Sequence, residues 1–277
     1  MPVLLSEFAE RQVNTTAEQW RARLAAGEPV FGLWVASGSA TAAEILGGSG
    51  ADWIIIDCEH SANHGPAVIE QLRALSLSPA LCVVRPSSKE PAELGRMLDA
   101  GAGGLMAPMV ESVSEAEEVV AATRYAPVGR RGVGGGFARA ARWAHIADYL
   151  PNAERTFSLI VQVESAAGLA VAGDIATVPG VDAVFIGPAD LAASLGYPGQ
   201  ARHPVVQAAI DGAIRAVRAA GAVAGVNAFA FEDAERYRAA GAQLLAVGAD
   251  VTILMTEGAG AISRHRAAAA SEAVPSK

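Results

Sequence analysis

The sequence predicts an α/β protein built as a single closed (β/α)8 TIM barrel. Three observations predict it. Eight short apolar runs of strand length recur along the 277 residues. Most are continuous rather than alternating, the pattern of parallel strands covered on both faces. Stretches of helical periodicity separate them, and eight such units in about 250 residues suit a closed barrel. An open doubly wound sheet is the competing architecture. No GxGxxG follows the first strand, so the dinucleotide fingerprint that would favour that sheet is missing, and no nucleotide cofactor is expected.

In chain order the strands read FGLWVA (31–36), WIIIDCE (53–59), LCVVRPS (81–87) and GLMAPMV (104–110). They continue with LIVQVES (159–165), AVFIGPA (183–189), AVAGVNA (222–228) and LLAVGAD (244–250). Among the helices, GPAVIEQLRAL and PAELGRMLDAG open with Pro near the first turn, and the second closes on Gly. SVSEAEEVVAATRY opens with Ser112, and Glu115 three residues on predicts a capping box. The longest gap lies between strands four and five. Its Gly- and Arg-rich insertion, with GVGGG at 132–136, reads as a mobile functional loop. Residues 1–265 are expected to form the barrel domain and 266–277 a disordered tail.

Hydrophobic residues make up 52% and charged residues 18%, which supplies a large core and argues against disorder. A net charge of −8 points away from nucleic acid and anionic membranes. No apolar run reaches membrane-spanning length, and no secretory leader is expected. Cys58 and Cys82 lie inside apolar runs and read as reduced core residues of a cytoplasmic protein.

Barrel chemistry sits at the carboxyl ends of the strands. Strand two ends in Asp57, Glu59 and His60, strand three in Arg85, and strand five in Gln162 and Glu164. Asp190 follows strand six, and Asp250 follows strand eight. A lone strand-end acid is more often a helix cap or a loop ion-pair partner. The constellation is harder to dismiss. Glu164 and Asp190 end consecutive strands, which pair at about 4.8 Å. Carboxylates that close repel unless they share a proton or bind a cation. No lysine is placed to neutralise them, so a divalent metal is expected. An all-oxygen donor set favours Mg²⁺ or Mn²⁺, with Co²⁺ a further candidate. Gly187, Pro188, Ala189 and Asp190 also open a helix, a place for an anion such as the carboxylate of an α-keto acid.

At this point the motifs FGLWVASGSATAAEILGGSGADWIIIDCEHS, VVRPS, MLDAGAGGLMAPMV, RGVGGGFARAARW, VQVES and IGPADLAASLGYPG become informative together. In unbroken order over residues 20 to 255, the chain resembles the HpcH/HpaI aldolases, metal-dependent (class II) pyruvate aldolases. The resemblance implies a divalent metal held by Glu164 and Asp190, and pyruvate bound near Gly187, Pro188, Ala189 and Gln162. It implies catalytic roles for His60 and Arg85, and it brings Trp34 to the site. It also implies a homo-oligomer, a trimer or hexamer with the C-terminal helix exchanged between subunits. Cys58 stands where the family more often has a small residue.

The expected reaction is reversible cleavage of a 4-hydroxy-2-oxo acid to pyruvate and an aldehyde. The metal polarises the keto oxygen. Arg85, permanently charged, holds that oxygen and the developing enolate. His60, the one imidazole in the constellation, moves the C4 hydroxyl proton, whereas His64 reads as a structural loop residue. A Schiff-base lysine is not expected. The only lysines are Lys89, read as a solvated helix-start residue, and Lys277 in the tail. Asp99 ends a helix, on the face of its own barrel away from His60. The resemblance pairs it with the histidine, which a neighbouring subunit alone could arrange; an acid interacting near its helix end is the plainer reading. Two alternatives stand beside the aldolase: decarboxylation of oxaloacetate through the same enolate, and a silent barrel that binds metal and keto acid. A CoA-ester lyase would need a phosphate cradle, and no convincing one is seen. The aldehyde half is unidentified; Arg131, Arg139 and Arg142 in the long loop suit acceptor recognition or subunit packing equally.

Overall fold

The computed structural model describes residues 16–272. Its eight strands are all parallel and close in sequence order into one barrel. They are β1 (Val30–Val35), β2 (Trp53–Asp57), β3 (Leu81–Arg85), β4 (Gly104–Ala107), β5 (Ser158–Val163), β6 (Ala183–Ile186), β7 (Val223–Asn227) and β8 (Leu244–Ala249). Every apolar run read as a strand is one. The helices begin with α1 (Ala17–Ala25), α2 (Ala40–Gly47), α3 (Gly65–Ala74), α4 (Pro91–Asp99) and α5 (Val113–Thr123). Within the insertion lies α6 (Tyr149–Asn152), and after it come α7 (Ala166–Ala170), α8 (Ala172–Ile175), α9 (Pro188–Ser194), α10 (Pro204–Ala219), α11 (Phe231–Ala240) and α12 (Asp250–Glu272).

Side chains alternate across each strand, so every strand serves two cores. Ile54, Ile56, Cys82 and Val84 point outward into the layer under the helices. Trp53, Ile55, Leu81, Val83, Met106, Ile160, Phe185 and Leu244 point inward and fill the barrel. Trp20 and Leu24 of α1 join the inner core, with Trp20 against Trp53 at 6.3 Å between rings. One end of the barrel is therefore plugged by indole, and the opposite, carboxyl end is left to polar groups.

Four expectations need correction. The insertion after α5 is not a loose loop. It folds on a small core of Ala138, Ala141, Tyr149 and Ala153. It also bonds to the C-terminal ends of α3 and α4, with Arg139 donating to Ala100 O at 3.0 Å and Leu72 O at 3.4 Å. It joins a helix end to a strand start, so it lies on the amino-terminal face and cannot line the mouth of its own barrel. Residues 266–272 continue α12 rather than fraying, because an alanine-rich run propagates a helix; Lys277 lies outside the described residues. Ser112 does cap α5, accepting from the Glu115 N–H at 3.1 Å. The reciprocal half of the box is absent, since the Glu115 carboxylate accepts from Glu111 N–H at 2.8 Å and Lys89 Nζ at 2.6 Å. Lys89 is thus a partly exposed clamp and not a free solvated side chain; it also donates to Met109 O at 2.5 Å. No helix among the described residues is long and apolar enough to cross a membrane.

Candidate active site

The inward rows of β2, β3, β5 and β6 change character where they reach the mouth. After Trp53 and Ile55 the next inward residue is Asp57, and after Leu81 and Val83 it is Arg85. Asp57 and Arg85 are register partners, so their side chains meet: Arg85 Nε lies 2.9 Å from Asp57 Oδ1. Arg85 Nη1 is 2.8 Å from Glu59 Oε2 and donates to Gln162 Oε1 at 3.5 Å. Its guanidinium carbon sits 4.5 Å from the centre of the Trp34 ring. Arg85 is buried and held from four sides, as a fixed donor array must be.

On β5 the inward row runs Ile160, Gln162, Glu164. Glu164 is 2% exposed. Its Oε1 accepts from Met109 N–H at 3.0 Å, and its Oε2 from the Gln162 side-chain amide. Met109 adopts a left-handed φ of 51°, a backbone form that non-glycine residues seldom take. Burial, the Glu59 charge and the Asp190 charge push the Glu164 carboxyl up to about 7, against the Met109 N–H and Arg85, which lower it. Burial likewise raises Glu59. Gly187 continues the β5–β6 pairing beside Glu164, its N–H donating to Val163 O at 3.2 Å. A Cβ there would fall 2.5 Å from Glu164 Oε2, so only glycine leaves room for this carboxylate.

His60 stands at the rim with its side chain 59% exposed; Nε2 is 3.8 Å from Glu59 Oε2 and 3.9 Å from Asp190 Oδ2. Neither distance is a hydrogen bond, so the imidazole is open to a ligand. Trp34, His60, Arg85, Gln162, Glu164, Gly187, Pro188, Ala189 and Asp190 all line one cavity of about 260 Å³. A larger hollow of about 440 Å³ lies on the amino-terminal face beside Thr16, Arg139 and Arg155, and holds none of these groups.

Two candidates fall elsewhere. Asp250 is 3% exposed and anchors the loop after β1, accepting from Ala36 N–H at 2.9 Å and Ser37 N–H at 3.1 Å. Asp99 ends α4 and pairs with Arg131 at 2.6 Å within its own chain, away from this cavity. Arg131 also stacks on Tyr125 at 4.6 Å. His64 precedes α3 as its N-cap, with Nδ1 3.3 Å from Ala62 O, a structural position. Cys58 is buried and its thiol is pushed up to about 12 by burial, so it is inert. The cavity adds Phe185, Asn227, Phe229, Val251 and Thr252, which sequence reasoning missed. Asn227 had a signal: it is the polar residue ending β7, the criterion that found the others.

The donor set fits a hard divalent cation. Asp57, Glu164 and Asp190 line the cavity and Glu59 borders it, and the Arg85 guanidinium pairs with only two of the four, Asp57 and Glu59. The buried Glu59 Oε2 has no hydrogen-bond donor aligned on it, although Arg85 is near. Among the described residues no group of three or more His, Cys, Asp or Glu is placed to hold a metal. Glu164 and Asp190 line the same cavity, and Mg²⁺-type ions commonly use one or two carboxylates and fill the rest with water and substrate.

Fold and cavity together define a (β/α)8 enzyme with an anion-rich, arginine-anchored mouth. The chain belongs to the HpcH/HpaI aldolase/citrate lyase family, whose model matches residues 30–256. It is 46% identical over 235 residues to the 4-hydroxy-2-oxo-heptane-1,7-dioate aldolase of Shigella sonnei (strain Ss046), covering 85% of this chain and 90% of that one. The enzyme of the same name from Salmonella arizonae is 45% identical over 231 residues, 83% of this chain and 88% of that one. Among solved structures, an HpcH/HpaI aldolase/citrate lyase family protein from Burkholderia cenocepacia J2315 matches with a TM-score of 0.86 and 42% identity. That match covers 90% of this chain and 99% of the other. The chain is accordingly an enzyme, an aldolase that cleaves carbon–carbon bonds, in a divalent-metal-dependent family.

Proposed function

We propose that this aldolase cleaves a 4-hydroxy-2-oxo acid to pyruvate and an aldehyde, with Glu164 and Asp190 holding Mg²⁺ or Mn²⁺. The observation that carries the reading is the juxtaposition of a buried Glu164, crowded by the Glu59 and Asp190 charges, with the fixed Arg85 and the open His60. A bound divalent ion supplies Lewis acidity toward the keto oxygen. Arg85, immobilised by Asp57, Glu59 and Trp34, directs N–H groups at the oxygen where enolate charge develops. Gln162 is fixed by Glu164 and orients the keto acid. Pyruvate's carboxylate lies against Gly187–Asp190, where the Ala189 and Asp190 N–H groups stand at the open end of α9. His60 takes the C4 hydroxyl proton during cleavage and returns it during addition.

The assembly reading is a homo-oligomer, a trimer or hexamer, in which Asp99 reaches the His60 of a neighbouring subunit. The first two turns of α12 expose Val251, Ile253, Leu254 and Met255, an apolar surface suited to exchange between subunits. Decarboxylation of oxaloacetate through the same enolate is a compatible side reaction.

The test is pyruvate release from 4-hydroxy-2-oxo-heptane-1,7-dioate, the compound for which the relatives are named. EDTA should abolish it and Mn²⁺ or Mg²⁺ restore it. Undiminished turnover after complete metal removal would reject the reading, as would borohydride trapping of pyruvate on Lys89.

A further inference from the structure

The cavity has a second end. The keto-acid groups occupy the wall built by β2, β3, β5 and β6. Trp34, Asn227, Phe229, Val251 and Thr252, on the side of β1, β7 and β8, bound the remainder. Given the function proposed above, on which this inference rests, that remainder receives the aldehyde half. Its surfaces are mostly apolar, and the Thr252 hydroxyl is already spent on Ala249 O at 2.9 Å.

Asn227 is the exception. The Trp34 indole nitrogen can only donate, and it lies 3.0 Å from Asn227 Oδ1. That bond fixes the amide, since a flipped side chain would set donor against donor. Nδ2 must then point away from Trp34. Among the described residues it has no hydrogen-bond acceptor, and Asn227 lines the cavity. An oriented pair of N–H donors is thus left over at the acceptor end.

We propose that Asn227 recognises the acceptor, selecting aldehydes that carry a hydrogen-bond-accepting oxygen, hydroxyl or carboxylate, beyond the carbonyl.

Aldol addition to pyruvate with Mn²⁺ tests this with three acceptors: glycolaldehyde for the hydroxyl, succinic semialdehyde for the carboxylate, and propanal for neither. Solvent deuterium exchange at the pyruvate methyl reads the keto-acid end alone. One net hydrogen bond predicts about a tenfold preference for an oxygenated acceptor over propanal in kcat/KM. Asn227→Asp keeps an acceptor for Trp34 and removes the donors; Asn227→Leu removes both. Both variants should lose the preference, mainly through a raised aldehyde KM. Pyruvate exchange in Asn227→Asp should stay within about twofold of wild type, since the Trp34 contact to Arg85 is kept. The acceptor whose advantage disappears identifies the oxygen as hydroxyl or carboxylate. An unchanged preference in both variants overturns the proposal. So does parallel loss of exchange and addition in both, which would make Asn227 a support for Trp34 and Arg85. Absence of pyruvate exchange in the wild-type enzyme would remove the pyruvate reading itself, and this proposal with it.

Discussion

Replacing Gly187 by Ala separates the site from the fold. The backbone at Gly187 has φ −95° and ψ 97°, which alanine adopts without strain. The new methyl would fall 2.5 Å from Glu164 Oε2, 2.9 Å from Gln162 Nε2 and 3.0 Å from Glu164 Cβ. Neither neighbour can swing aside freely. Glu164 is pinned by Met109 N–H and Gln162, and Gln162 lies under Arg85. To reach ordinary van der Waals distance the carboxylate must retreat by about 1 Å. A misplacement of that size costs on the order of 10²-fold in turnover. The expected outcome is a kcat/KM lower by about 10²-fold with a weaker Mn²⁺ requirement curve, while thermal unfolding changes by only a few degrees. Steady-state pyruvate release across a Mn²⁺ titration, with a melting curve on the same samples, measures both. Wild-type activity at wild-type Mn²⁺ concentration would refute the argument that Glu164 must sit where glycine leaves it.

Glu164 gives a pH signature. Its folded-state value near 7 is raised above its ordinary 4.5. Its contribution to stability is therefore present below 4.5 and lost as pH rises through about 7. Metal-free protein should melt lower at pH 8 than at pH 5.5, Glu164→Gln should flatten that dependence, and Mn²⁺ should stabilise more at the higher pH. An equal Mn²⁺ effect at both pH values would count against Glu164 as ligand. His60→Ala should lower aldol cleavage by about 10²–10⁴-fold and oxaloacetate decarboxylation much less, whereas Arg85→Ala should damage both. Equal losses of both activities in His60→Ala would show that another group carries the proton. Mixing inactive Asp99→Asn and His60→Ala proteins under subunit exchange should restore some turnover; none, despite verified exchange, would leave Asp99 to its own Arg131.

Much of this was legible before the structure. Continuous apolar runs mark buried parallel strands, so the barrel and all eight strands followed from the sequence. The mouth followed from polar residues at strand ends, and nine of the ten named site residues line one cavity. The tenth, Asp99, ends a helix and does not. What failed was the meaning of loops and partners. The Arg-rich insertion looked functional by composition, but which face a loop serves depends on whether it leaves a helix or a strand. Lys89 looked solvated because its partners, Met109 O and Glu115, are 20 and 26 residues away in the chain. Asn227 was legible by the rule that found its neighbours and was not read.

The same alternation explains why these acids tolerate one another. Inward positions occur every second residue, so β2 cannot place Ile55 in the core without also presenting Asp57, nor β5 Ile160 without Gln162 and Glu164. The inner core thus fixes where the charges emerge, and Arg85 answers only part of them. Asp250 follows the inward Ala249 and turns outward, where backbone N–H groups satisfy it. Glu164 receives a single backbone N–H and an amide instead, which is too little for a buried carboxylate ringed by others; its raised proton affinity records that deficit. A fold selected for stability alone would place an apolar residue or glutamine at 164. On the function proposed above, the deficit is the cost of keeping an anion ready for a cation, because the charge that destabilises the metal-free barrel is the same charge that would hold the ion.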